Sequence, residues 1–193
     1  MASIPAPPVP LSQAGRAAHD IGLAGLLGGN LFGRLALHPS VTHISDNGER
    51  GRVVNAAWRR YGAVNTVSLV AVVSGWLGAR ANEAAPAQLS PAERRLAVAK
   101  DALVGVVAFS GVATAVQGVR FARQAPGGAV PLTDGDHTAP EATETQARMK
   151  RRLNALGLVS LAAEIGLTGV NAALNQQSFR RPPRRRALPW RRP

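Results

Sequence analysis

Two stretches of this chain run without formal charge for the length of a lipid bilayer. Residues 61–79 read YGAVNTVSLVAVVSGWLGA, with the Tyr61 phenol as the one ionisable group, and residues 102–119 read ALVGVVAFSGVATAVQGV. At about 1.5 Å per residue, each is long enough to cross a hydrocarbon core of about 30 Å. A soluble amphipathic helix places charges along one face every three or four residues. Here Val64, Val67, Val70, Val72 and Val73 occupy every face of the first helix. Val104, Val106, Val107, Phe109 and Val112 do the same for the second. A helix apolar all round lies in lipid or deep inside protein, and 193 residues supply too few elements to enclose two such helices.

Two more segments predict spans of mixed character. Residues 17–37 (AAHDIGLAGLLGGNLFGRLAL) hold Asp20, Asn30 and Arg34, and residues 153–174 (LNALGLVSLAAEIGLTGVNAAL) hold Glu164. Both fit a membrane only with their polar stripes turned toward other helices. The expected fold is therefore all-α: a four-helix transmembrane bundle over 16–178, with spans at about 17–37, 62–80, 102–120 and 153–174. A short interfacial helix is expected from about Glu49, where Asp46 sits at cap spacing. Trp58 and Tyr61 follow as interfacial anchors, with Trp76 at the far end of the second span. Ser90-Pro91-Ala92-Glu93 reads as a capping box, and Thr143 with Gln146 as another. Residues 1–15 are proline-rich and lack the basic start of a secretory signal, which predicts a disordered lead before an uncleaved span. The acidic, Pro/Gly/Thr-rich segment 124–147 and the tail 179–193 are also expected to be disordered.

The charge balance fits this layout. There are 23 Lys+Arg against 11 Asp+Glu, a formal charge of +12 that first suggests a polyanion-binding protein. Almost all of it flanks the apolar runs. Arg180, Arg181, Arg184, Arg185, Arg186, Arg191 and Arg192 surround Trp190 in the tail, a composition suited to anionic lipid headgroups at about 1 kcal/mol per basic residue. The expected partners are thus the bilayer and its anionic headgroups, together with a membrane-protein partner or a second copy; nucleic acid is disfavoured. With four spans, 12 basic residues fall on the side of the termini and 11 on the other. The positive-inside rule hardly separates these, and the tail tips the expectation to both termini in the cytoplasm of a multi-pass plasma-membrane protein.

The interior-facing polar residues are the candidate site. Asn154, Gly157, Leu161, Glu164, Thr168, Asn171 and Asn175 recur every three or four residues along one face of the fourth span. Asp20, Asn30 and Arg34 share a stripe of the first span, with His19 near its start, and Gly25, Gly29 and Gly33 form a small-xxx-small packing stripe. A carboxylate near mid-membrane costs roughly 3 kcal/mol or more unless it is protonated, paired or wet. Glu164 therefore reads as a proton- or ion-responsive site or, more simply, as a structural link between the fourth and first spans, with Arg34 as a candidate partner. Asp134-Gly135-Asp136-His137 has too few ligands for a cation site and reads as a solvated loop. With no cysteine, with Met1 and Met149 the only methionines, and with His19 the one histidine inside a span, no metal or cofactor is expected.

The runs AAHDIGLAGLLGGNLFGRLALHP, ISDNGERGRVVNAAWRRYGAVN and GWLGAR resemble small four-span integral membrane proteins of actinobacteria, over about residues 15–180. The resemblance implies the fold and the membrane location and supplies no activity. The leading expectation is a non-enzymatic accessory or scaffold protein of the cell envelope. The alternative is a small proton-coupled transporter or channel using Glu164.

Overall fold

The helices start where the sequence caps them. The computed structural model describes residues 11–82 and 84–179. Asp46 accepts from the Glu49 amide at 2.6 Å. Ser90 and Glu93 cap each other around Pro91, and Thr143 and Gln146 do so at 3.2 and 2.9 Å. Each reciprocal pair satisfies backbone donors that a first helical turn leaves orphaned. The four long helices are α1 (Leu11–Phe32), α2 (Asn47–Ala81), α3 (Pro91–Ala122) and α4 (Glu144–Phe179). Beyond Phe32, α1 continues through a π-helical segment (Gly33–Leu37), a turn of α-helix (His38–Ser40) and a 3-10 turn (Val41–His43). No strand forms among the described residues.

Two boundaries differ from expectation. The predicted short interfacial helix is the first part of α2, which runs unbroken for 35 residues. No proline interrupts it, and Trp58 and Tyr61 lie on the face packed against α1. The predicted disordered lead, residues 1–15, overlaps α1, whose described part runs from Leu11. Residues 1–10 and the arginine tail 180–193, with its expected lipid contacts at Arg180, Arg181, Arg184, Arg185, Arg186, Trp190, Arg191 and Arg192, lie outside the described residues.

Successive long helices run antiparallel. α1 packs along α2 and α3 along α4, and these two hairpins meet through thinner contacts. Leu23, Leu26, Val72, Val107 and Leu167 centre the core between them. The α1–α2 approach depends on glycine. A Cβ at Gly22 would lie 2.6 Å from the Ser68 carbonyl oxygen. At Gly29 and Gly33 it would overlap the rings of Tyr61 and Trp58.

The outside is apolar. α2, α3 and α4 are each long and apolar enough to cross a membrane, and at most 28% of the residues in any of their apolar windows are buried. Val67 and Phe109 are 70% and 73% exposed. α1 does not reach that apolarity, because Arg16, His19, Asp20 and Asn30 all lie within it.

The acidic segment 124–147, predicted disordered, is packed. Val130 and Leu132 are wholly buried, over a second core with Val41, Val54 and Phe121. The Leu132 amide donates to the Asn47 carbonyl at 3.0 Å, and Ala139 to Pro131 at 3.0 Å. The few apolar side chains outweigh the composition because alternate residues insert between α2 and α4. Gly51 admits the chain, since a Cβ there would overlap the Val130 carbonyl. Gly51→Ala is expected to lift this segment at about 1–3 kcal/mol of overpacking, read as faster proteolysis between Arg123 and Thr143. An unchanged cleavage rate would contradict the packing.

Candidate functional site

The polar stripe of α4 meets α1 at mid-length. Glu164 is 1% exposed. The Asn30 Nδ2 amide lies 2.9 Å from both of its carboxyl oxygens, and Ser160 Oγ donates to Oε1 at 2.9 Å. Thr168 Oγ1 donates back to the Glu164 carbonyl at 2.8 Å. Arg34, expected as a partner of Glu164, lies one turn further along and turns elsewhere. Its Nη2 donates to the Asn154 carbonyl at 3.1 Å, over Gly157, and Nη1 lies 4.0 Å from Asp136. Ser160 escaped notice in the sequence although it stands one turn before Glu164.

A second cluster joins the start of α1 to the ends of α2 and α4 and to α3. Asn171 Nδ2 donates to Asp20 at 2.7 Å and its Oδ1 accepts from Lys100 Nζ at 2.6 Å. Lys100 also lies 4.4 Å from the Trp76 ring centroid. Trp76 Nε1 donates to Asp101 at 2.8 Å, and Arg80 pairs with Asp101 at 2.9 Å. His19, 3% exposed, donates from Nδ1 to the Val72 carbonyl at 2.7 Å. His19, Asp20, Trp76, Lys100 and Asn171 border a cavity of ≈ 300 Å³. Lys100 is 4% exposed, because it lies on the same face of α3 as Ala97, Val104 and Val107.

The third cluster closes the opposite end. The Trp58 indole donates to His38 Nε2 at 3.2 Å, so Nδ1 carries the proton that His38 shares with Asp136 at 3.0 Å. Asn154 donates to the Asp136 carbonyl at 2.6 Å. Lys150, 6% exposed, lies 5.9 Å from the Phe121 ring centroid. Asp134 is used internally, accepting from the amides of Asp136 and His137 at 2.6 and 2.8 Å. The hydrogen bond from His38 holds the Asp136 carboxyl below the usual carboxylate range, against the opposing effect of burial, and the charges of Lys150 and Arg34 add to it. A lowered folded pKa contributes stability that is fully present above the unfolded value of about 3.9 and is lost as pH falls through the folded value. Hydrogen-exchange protection of segment 130–139, taken relative to the intrinsic rate at each pH, is therefore expected to fall on acidification below about pH 4. Asp136→Asn should flatten that dependence; an identical acid profile in the variant would contradict it.

The glycine stripe Gly25, Gly29 and Gly33 of α1 and its π-helical continuation packs against α2, as does Gly22, which was not among the predicted packing glycines. Tyr61 lies across Gly29 and donates to the Gly25 carbonyl at 2.8 Å, while Trp58 covers Gly33. Both rings, expected as interfacial anchors, stand as wedges between α1 and α2. No family model, curated protein or solved structure matches this chain. What the site can do is therefore read from its geometry.

Proposed function

We propose that the chain is an integral membrane protein in which all four long helices cross the bilayer as one four-helix bundle, and that it serves the cell envelope as a non-enzymatic accessory or scaffold protein. The carrying observation is the inversion of α1. Its polar His19 and Asn30 are engaged by α2 and α4, while Ile21, Phe32 and the adjoining Leu35 stand 73%, 65% and 75% exposed. In water so much contiguous apolar surface is a liability, and in lipid it is the solvated face. The resemblance to four-span actinobacterial proteins, a plasma-membrane location and cytoplasmic termini belong to the same proposal. A scaffold of this kind works through its outer face, on a membrane-protein partner or a second copy. Purification from native membranes in mild detergent is expected to bring down a stoichiometric partner or a homo-oligomer. A monodisperse, partner-free monomer would count against the role.

A second reading, proton-coupled transport, draws on one observation: Glu164 lies between polar clusters at either end of the helices. The enclosure of its carboxyl by Asn30 and Ser160 favours a latch. Proteoliposomes are expected to show no pH-driven flux. Flux that disappears in Glu164→Gln would reverse this preference.

A further inference from the structure

A groove between α1 and α2 has aromatic walls and no side chain to fill it. Its floor is Gly28, Gly29 and Gly33, and its walls include the rings of Phe32, Trp58 and Tyr61, around a volume of ≈ 180 Å³. It opens on the outer face: Phe32 is 65% exposed, and nothing lies within 4 Å of a Cβ at Gly28. Both hydrogen-bond donors among the rings are committed, Tyr61 to the Gly25 carbonyl and the Trp58 indole to His38. An apolar space of this kind does not hold water and suits hydrocarbon.

Positive charge stands beside the groove. Arg60 lies one turn after Ala57 and directly before Tyr61, both of which line it, and Arg59 is its neighbour. Both arginines are exposed, and neither forms a hydrogen bond or ion pair among the described residues. The nearest acid upstream on α2, Glu49, is taken by Arg52. The arginine pair immediately precedes the uncharged run 61–79. On the membrane reading proposed above, on which this inference rests, that position is headgroup depth, where basic residues attract anionic lipid. A second copy seated there across a two-fold axis along the bilayer normal would bring the same arginines to the same depth, and like charges oppose that contact. We infer that the groove is a binding site for an anionic phospholipid, with one acyl chain over the three glycines and the phosphate against Arg60, Arg59 beside it.

Trp58 makes the groove its own reporter. In the full chain carrying Trp76→Phe and Trp190→Phe, Trp58 is the one indole left. This protein is reconstituted into phosphatidylcholine vesicles with increasing fractions of phosphatidylglycerol or phosphatidylcholine brominated on the acyl chains, since bromine quenches indole fluorescence on contact. The brominated phosphatidylglycerol is expected to quench at a mole fraction at least about fivefold lower, the scale of one basic residue's attraction at a membrane surface. Arg59→Gln with Arg60→Gln should abolish that preference. Arg151→Gln with Arg152→Gln, exposed on α4 at the same end of the bundle, removes equal charge and should preserve it. Gly28→Leu fills the groove from an open position and should weaken quenching by both lipids, with the helical circular dichroism unchanged. Equal quenching by the two lipids, a preference that survives in the Arg59/Arg60 variant, undiminished quenching in Gly28→Leu, or a Trp58 shielded from both lipids by a second copy overturns the assignment. Flotation of the same samples separates the two readings. Protein that floats with the vesicles without the lipid preference overturns the groove site alone, and protein that does not float overturns the membrane reading with it.

Discussion

Replacing Asn30 with Leu is expected to weaken the protein by about 1–3 kcal/mol, the cost of stripping a buried acceptor of its main partner. Asn30 is the one residue of α1 that bonds Glu164, and it spans both carboxyl oxygens at 2.9 Å. Glu164→Leu should cost a similar amount by leaving the Asn30 amide unmet. The double substitution should cost clearly less than the sum, because it removes both orphaned groups and leaves two apolar side chains in contact. Hydrogen bonds between membrane helices average about 0.6 kcal/mol in such cycles, so most of each single-variant loss comes from the stranded partner. The cycle is read from reversible unfolding in mixed micelles. Strict additivity would mean that the two side chains do not act as a pair.

Gly22→Leu should do at least as much damage by a different route. The new Cβ would lie 2.6 Å from the Ser68 carbonyl oxygen and 3.0 Å from the Ala71 Cβ. Neither neighbour is the free end of a flexible side chain, so α1 and α2 must part. The loss should reach the upper end of the about 1–3 kcal/mol typical of overpacking, or exceed it. Gly28→Leu is the matched control, since nothing lies within 4 Å of a Cβ there. Equal effects at the two positions would show that glycine acts here through backbone flexibility rather than close approach.

The sequence carried the helices and their starts because those depend on local signals. Asp46, Ser90–Glu93 and Thr143–Gln146 cap at the expected spacing, and the charge-free runs at 61–79 and 102–119 fall inside α2 and α3. The polar face of α4 was legible from its period. Its partners were not, because pairing Asn30 with Glu164 joins residues 134 positions apart. Segment 124–147 was misjudged by composition, where burial of Val130 and Leu132 outweighed the surrounding polar residues.

The central claim, that α1 crosses the bilayer although, unlike the other three long helices, it is not long and apolar enough to be a span by composition alone, can be tested directly because the chain has no cysteine. Gln13→Cys, Ser45→Cys, Ala87→Cys and Pro140→Cys are introduced singly and labelled in intact cells with a membrane-impermeant maleimide, before and after permeabilisation. Positions 13 and 87 are predicted to label on one side of the membrane and positions 45 and 140 on the other. Labelling of positions 13 and 45 from the same side would show that α1 does not cross, and would contradict the four-span bundle.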